Sequence, residues 1–152
     1  MTDFILPATS LATALAIIGL GGGLYKVGVI DPAWPQRPDP IQPDRGGISR
    51  KRFWIPAHAA FELLFIIALA LAWSSADVRF WLLVAIASHA AMRIWSAIEL
   101  ISKALAFEKA TCSPETETAA SWWARRSLGR FPLDVIACGA MLVATIAAAR
   151  IT

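Results

Sequence analysis

Phe53-Trp-Ile-Pro-Ala-His58-Ala-Ala-Phe-Glu62-Leu-Leu-Phe-Ile-Ile-Ala-Leu-Ala-Leu-Ala-Trp73 is long enough to cross a bilayer, which takes about 20 apolar residues, yet it holds His58 and Glu62. The next apolar run, residues 78–101, holds His89 and Arg93. An ionisable group at membrane depth costs at least ~2.5–3.5 kcal/mol, so such groups face a bundle interior and serve a purpose there. His58 and His89 are the only histidines of the chain. In each pair, His58/Glu62 and His89/Arg93, the spacing is i, i+4, which sets both members on one helix face.

Two further runs, residues 4–25 and 131–151, complete a set of four spans. The reading is an all-α integral membrane four-helix bundle, one domain over residues 1–152, with a long Pro-rich first loop and a short interfacial helix before the fourth helix. A soluble bundle is disfavoured because its helices need a polar face that these runs lack. Composition agrees: 57% of residues are hydrophobic and 16% charged, against about 25% charged in soluble domains. The first run is expected to stay as a span, since it carries Asp3 and no Lys or Arg before a long apolar stretch.

Loop charge is lopsided. Side A, the face with the 26–52 and 102–130 connections, carries Lys26, Arg37, Arg45, Arg50, Lys51, Arg52, Lys103, Lys109, Arg125, Arg126 and Arg130. Side B, with the termini and the 74–77 turn, carries only Arg79 and Arg150. The positive-inside bias places side A in the cytoplasm and both termini outside, in an inner (cytoplasmic) membrane. The net charge of +3 records this topology, so a nucleic-acid partner is not expected. Cys112 in a cytoplasmic connection and Cys138 within a span do not suit a disulfide.

The first span closes on Gly19-Leu-Gly-Gly-Gly23, where Gly19 and Gly23 form a GxxxG pair suited to close packing, within the chain in preference to between copies. Ala140, Ala144 and Ala148 repeat the small-residue theme in the fourth span. Five prolines between Pro32 and Pro43 stiffen the first loop. That loop is either a strap tied to the membrane by Trp34 and its arginines, or a lid over the side A mouth. Ser113-Pro114-Glu115 reads as a helix start, leading to Trp122-Trp123 and Arg125-Arg126 as an interfacial anchor.

Helix rise places the polar residues. If the second span starts at Pro56, His58 is in its first turn and Glu62 ~9 Å further in. Arg93 is then ~12–15 Å from side A and His89 ~18–20 Å, near the midplane. Asp134 falls level with His58, and Cys138 level with Glu62. Glu62 and Arg93 are natural partners, because an unpartnered buried charge is very costly. Ser96, Trp95, Tyr25 and Trp34 are candidates to line a substrate pocket. Glu99 and Lys103 read as a structural pair at the side A boundary.

A histidine held by a carboxylate in a dry pocket suits general acid–base work, and an arginine beside it suits an enolate or phenolate oxygen. Neutral imidazole is also a ligand for haem iron or another transition metal. The leading expectation is an enzyme acting on a lipophilic small molecule from the membrane lipid, by proton transfer linked to isomerisation or oxygenation. Here His58 and His89 are base or ligand, Glu62 the orienter and Arg93 the anion holder. A haem-binding electron carrier and a small transporter or accessory subunit are the other classes considered.

Gly22-Gly-Leu-Tyr25, the Pro- and Trp-bearing loop and the histidine opening the second span resemble the small four-span proteins of the anthrone oxygenase-like group. That resemblance implies oxygenation of an aromatic polyketide-like substrate without an obvious cofactor, with histidine as base. The organisation is also similar to styrene oxide isomerases, which implies His58 as a ligand of haem b at a subunit interface, and so a homo-oligomer.

Overall fold

The structure, a computed structural model, describes residues 2–151. Helix α1 (Ile5–Tyr25) runs on through a π-helical turn, Lys26–Ile30. Helix α2 is Lys51–Leu71. Helix α3 (Ala76–Trp95) passes through a second π-helical turn, Ser96–Leu100, into α4 (Ile101–Phe107). Helix α5 (Pro114–Leu128) meets α6 (Phe131–Ala148) at a corner formed by Gly129 and Arg130. Four helical stretches are long and apolar enough to cross a membrane: Ile5–Ile30, Lys51–Leu71, Ala76–Phe107 and Pro114–Ala148. The chain is therefore an all-α, multi-pass membrane protein.

Its outward faces are apolar. Leu63, Ile66, Phe80, Ile94, Ile98, Ile136 and Ile146 are all exposed, an extent of apolar surface that water-soluble monomers rarely carry. Lipid satisfies these side chains, while the helices satisfy their own backbone.

The order around the bundle is α2, α1, α6, α3: α3 packs on α6, and α1 packs on both α2 and α6. Helices α2 and α3 are joined by a short turn yet touch little along their length. Toward side B the contacts are built from small residues, with Ala12, Ala68, Ala72, Ala85, Ala144 and Ala148 at 0% exposure around Phe61, Phe65 and Met141. Small side chains let helix backbones approach closely. Across this core, Thr13 Oγ1 donates to the Met141 carbonyl at 3.1 Å and lies 2.8 Å from Thr145 Oγ1.

Several expectations change. Helix α2 starts at Lys51, so Pro56 lies inside it and His58 is about two turns in. A proline there forfeits only the hydrogen bond to the Arg52 carbonyl, close to the helix end. The third span extends beyond Ile101 because Ile101–Phe107 keeps helix-forming, mostly apolar residues. The GxxxG pair is not a packing face within the chain: a Cβ at Gly19 or Gly23 would meet nothing within 4 Å. Gly22 is the close approach, where a Cβ would lie 2.5 Å from the Phe53 ring.

The first loop folds against the helices. Trp34 is 1% and Ile41 0% exposed, packed with Leu100, Ala120 and Trp123. Trp34 meets Phe107 at 5.3 Å and Trp123 at 5.7 Å between ring centroids. Asp31 ties the loop down, with its Oδ2 2.5 Å from Lys26 Nζ and its Oδ1 accepting from Trp34 Nε1 at 3.2 Å. Arg50 donates to the Ala104 carbonyl at 2.9 Å and pairs with Glu108 at 3.2 Å. Helix α5 begins as expected, with Ser113 Oγ accepting from the Thr116 amide at 3.1 Å.

Candidate functional site

Where α2 and α3 diverge, the bundle encloses a cavity of about 560 Å³ on its side A half. That is within the range of small-molecule pockets, roughly 300–1,000 Å³. Helices α1, α2, α3 and α6 all contribute to its wall. Gly19 and Gly23 leave room on the α1 side, and Leu15, Leu20, Phe61 and Met92 make much of the rest apolar.

Four ionisable residues singled out from the spans meet here. Glu62 Oε1 lies 3.2 Å from His89 Nε2 and 3.1 Å from Arg93 Nε. The carboxylate thus accepts from the imidazole of α3 and from the guanidinium one turn further along it. Glu62 pairs across the helix gap with Arg93, as their depths suggested, and with His89, and not with its neighbour His58. His58 stacks on Trp54, with ring centroids 5.4 Å apart and planes at 22°. The His58 and His89 rings lie 5.7 Å apart, and Phe61 meets His89 edge-on at 4.9 Å. The two imidazoles are therefore neighbours across the gap between α2 and α3. Among the described residues His58 has no hydrogen-bond partner, so its imidazole is left to the cavity.

Exposure is uneven across this group. The His89 side chain is 12% exposed, whereas those of Glu62 and Arg93 are 41% and 42% exposed. The ion pair therefore sits at the seam between α2 and α3, and the histidines lie behind it. His58, Glu62 and His89 are half-buried and present one ligand atom each, all within 4.8 Å of one another.

The pocket residues expected beyond these four divide. Ser96 lines the cavity and is 3% exposed, donating to the Met92 carbonyl at 2.8 Å. Tyr25 does not line it: the ring is exposed, because the helix turns its face outward there. Trp34 is sequestered in the loop cluster. Trp95 donates instead to Glu99 Oε2 at 2.6 Å and lies against Gly129 at the α5–α6 corner. Glu99 in turn pairs with Arg126 of α5 rather than with Lys103, which lies over the Trp122 ring at 4.7 Å.

Other wall residues were not named as pocket residues in the sequence, although Asp134 was placed at the depth of His58. Arg130, at the corner before α6, donates to Ser96 Oγ at 2.7 Å, and among the described residues no carboxylate lies within 4 Å of it. Lys26 and Asp134 also reach the wall, and Lys26 and Ser96 each open a π-helical turn. Such turns gather at functional sites, since one extra residue redirects the side chains around it. The signal for Arg130 was its i, i+4 spacing to Asp134 at the start of a span. The π-helical turns leave no pattern to read. Both cysteines are free, Cys112 exposed and Cys138 buried against the cavity.

Comparisons of this chain with protein-family models, curated proteins and solved structures find no match.

Proposed function

We propose that this protein is a membrane-embedded enzyme that takes a lipophilic small molecule into the cavity between α2 and α3 and transfers a proton on it, in an isomerisation or in an oxygenation with dioxygen as the oxidant. The observation that carries the reading is the convergence of His58, Glu62, His89 and Arg93 on one wall of a largely apolar cavity. His58 is the base, because its imidazole lines the cavity and has no hydrogen-bond partner among the described residues. Glu62 orients His89, and Arg93 and Arg130 hold the oxygen on which charge develops as the proton leaves. A lipophile enters through the seam between α2 and α3 directly from the bilayer. The likeness to the anthrone oxygenase-like group favours an aromatic, enolisable substrate.

Side A faces the cytoplasm of an inner-membrane protein in this reading, with both termini outside. Its support is the concentration of Lys and Arg on the 26–52 and 102–130 connections. Cys112 is exposed, so an impermeant thiol reagent should leave it unlabelled in intact cells. Labelling from outside overturns the orientation.

Turnover is tested with polycyclic phenolic ketones presented in detergent, following absorbance and oxygen uptake. His58→Gln should fold and lose roughly 10²–10⁴-fold in rate, as removal of a general base does. Full turnover in both His58→Gln and His89→Gln overturns the reading. A Soret band in the purified protein, lost in His58→Gln, replaces the base with a haem ligand.

A further inference from the structure

We infer that His58, Glu62 and His89 form a three-donor site for a divalent transition metal, Fe(II) or Zn(II), with coordination positions left open toward the cavity. The inference rests on the reading of this cavity as the place of chemistry, and it adds an ion to it. Metal–ligand bonds of about 2.0–2.2 Å set the donors of one ion roughly 3–4 Å apart. His89 Nε2 and Glu62 Oε1 already stand 3.2 Å apart, and the whole set lies within 4.8 Å. Rotation of the His58 ring, which no hydrogen bond holds among the described residues, closes the remainder.

The donor types select the ion. Two imidazoles and one carboxylate suit iron and zinc, whereas calcium and magnesium take oxygen donors. The scaffold suits a site as well, since two donors are one turn apart on α2 and the third comes across the gap from α3. Trp54 braces one imidazole by stacking and Phe61 the other by its edge. Arg93 grips the carboxylate from outside, as outer partners of metal ligands do. A hydrogen-bonded staple of α2 to α3 would need only Glu62, His89 and Arg93 and would leave His58 without a role. An ion uses all three donors and takes the place of the proton now shared by His89 and Glu62. Facing a lipophile, it would polarise a carbonyl or phenolic oxygen.

The test uses untagged, full-length protein purified in detergent without chelators. Elemental analysis distinguishes iron from zinc in the protein as isolated. After stripping, Co(II) is added as a spectroscopic probe under anaerobic conditions. One equivalent per chain should give ligand-field bands, and Co(II) should raise the Tm of the parent protein. His58→Gln, Glu62→Gln and His89→Gln should each bind at least ~100-fold more weakly, beyond the usual loss from outer-partner changes. Arg93→Met should weaken binding by no more than ~10–100-fold, the usual loss on removing an outer partner, and keep the ligand-field bands. Absence of both bands and Tm shift, or bands indifferent to all three ligand substitutions, overturns the site.

The two readings fail separately. A stripped protein that keeps full turnover and shows no bands removes the metal and leaves His58 as a base. Stoichiometric binding lost in all three variants upholds the metal even if no lipophile tested is turned over.

Discussion

The side B half and the side A half of the bundle are made by the same four spans and are packed in opposite ways. On side B, alanines from every span bring the helices together around Phe65, Leu82 and Met141, all nearly inaccessible. On side A, glycines face a void, α2 parts from α3, and charged groups line the gap. Small residues thus do two different things. Where a neighbouring helix fills the space beside an alanine they make contact, and where nothing fills it, as at Gly19 and Gly23, they make room. The difference separates holding the helices together from presenting a site, and each can be altered without the other.

The sharpest way to break this division is Phe65→Ala. It should cost ~3–5 kcal/mol, as large-to-small changes at a packed aromatic do, measured by denaturant unfolding in detergent. Ligand binding per folded molecule should not change. A shift in ligand affinity as large as the loss of stability would show the halves to be one unit.

Smaller and more discriminating is a pair of leucine substitutions. Ala144→Leu should cost ~1–3 kcal/mol by overpacking. Gly19→Leu should leave stability within about 0.5 kcal/mol, as changes at unpacked sites do, yet fill the cavity and weaken binding of a lipophilic probe. Equal destabilisation by both would place Gly19 in a packed interface after all.

Smallest is the coupling between Glu62 and Arg93. Contacting pairs couple by 0.5–3 kcal/mol, and the open position of this one at the seam places it near ~1 kcal/mol. The double-mutant cycle with Glu62→Gln and Arg93→Met measures it directly in thermal unfolding. Strict additivity would break the ion pair described here.

How much of this could be read in advance depended on whether the determinant was local. Runs such as residues 53–73 declare spans because bilayer thickness sets their length, and Ser113-Pro114 declares the start of α5 because capping is a matter of a few residues. The convergence of His58, Glu62, His89 and Arg93 was legible because helical spacing and depth restrict what can meet. What could not be read depended on partners distant in sequence. Matched depth paired Glu62 with Arg93, and the two do meet, but nothing in the spacing showed that the same carboxylate also reaches His89. Trp34 had the look of a pocket residue or an anchor until Phe107 and Trp123 enclosed it. The GxxxG pair signals closeness only if another helix arrives, and among the described residues of this chain none does. Arg130 lay in a loop by its sequence and on the cavity wall by virtue of the α5–α6 corner.

The buried first loop has a consequence for how the protein is made. Trp34 and Ile41 rest on Leu100, near the end of the third span, and on Ala120 and Trp123, the last two of which leave the ribosome only after the third span has been synthesised. Until then the loop has no surface to fold on, and a nascent chain with two spans inserted presents an uncovered tryptophan and the unsheltered Lys26–Asp31 pair. Closure of the side A end is therefore a late event in biogenesis, completed when α5 docks. A chain arrested before Trp123 would hold its first two spans in the bilayer with their connecting segment still open to proteases and chaperones.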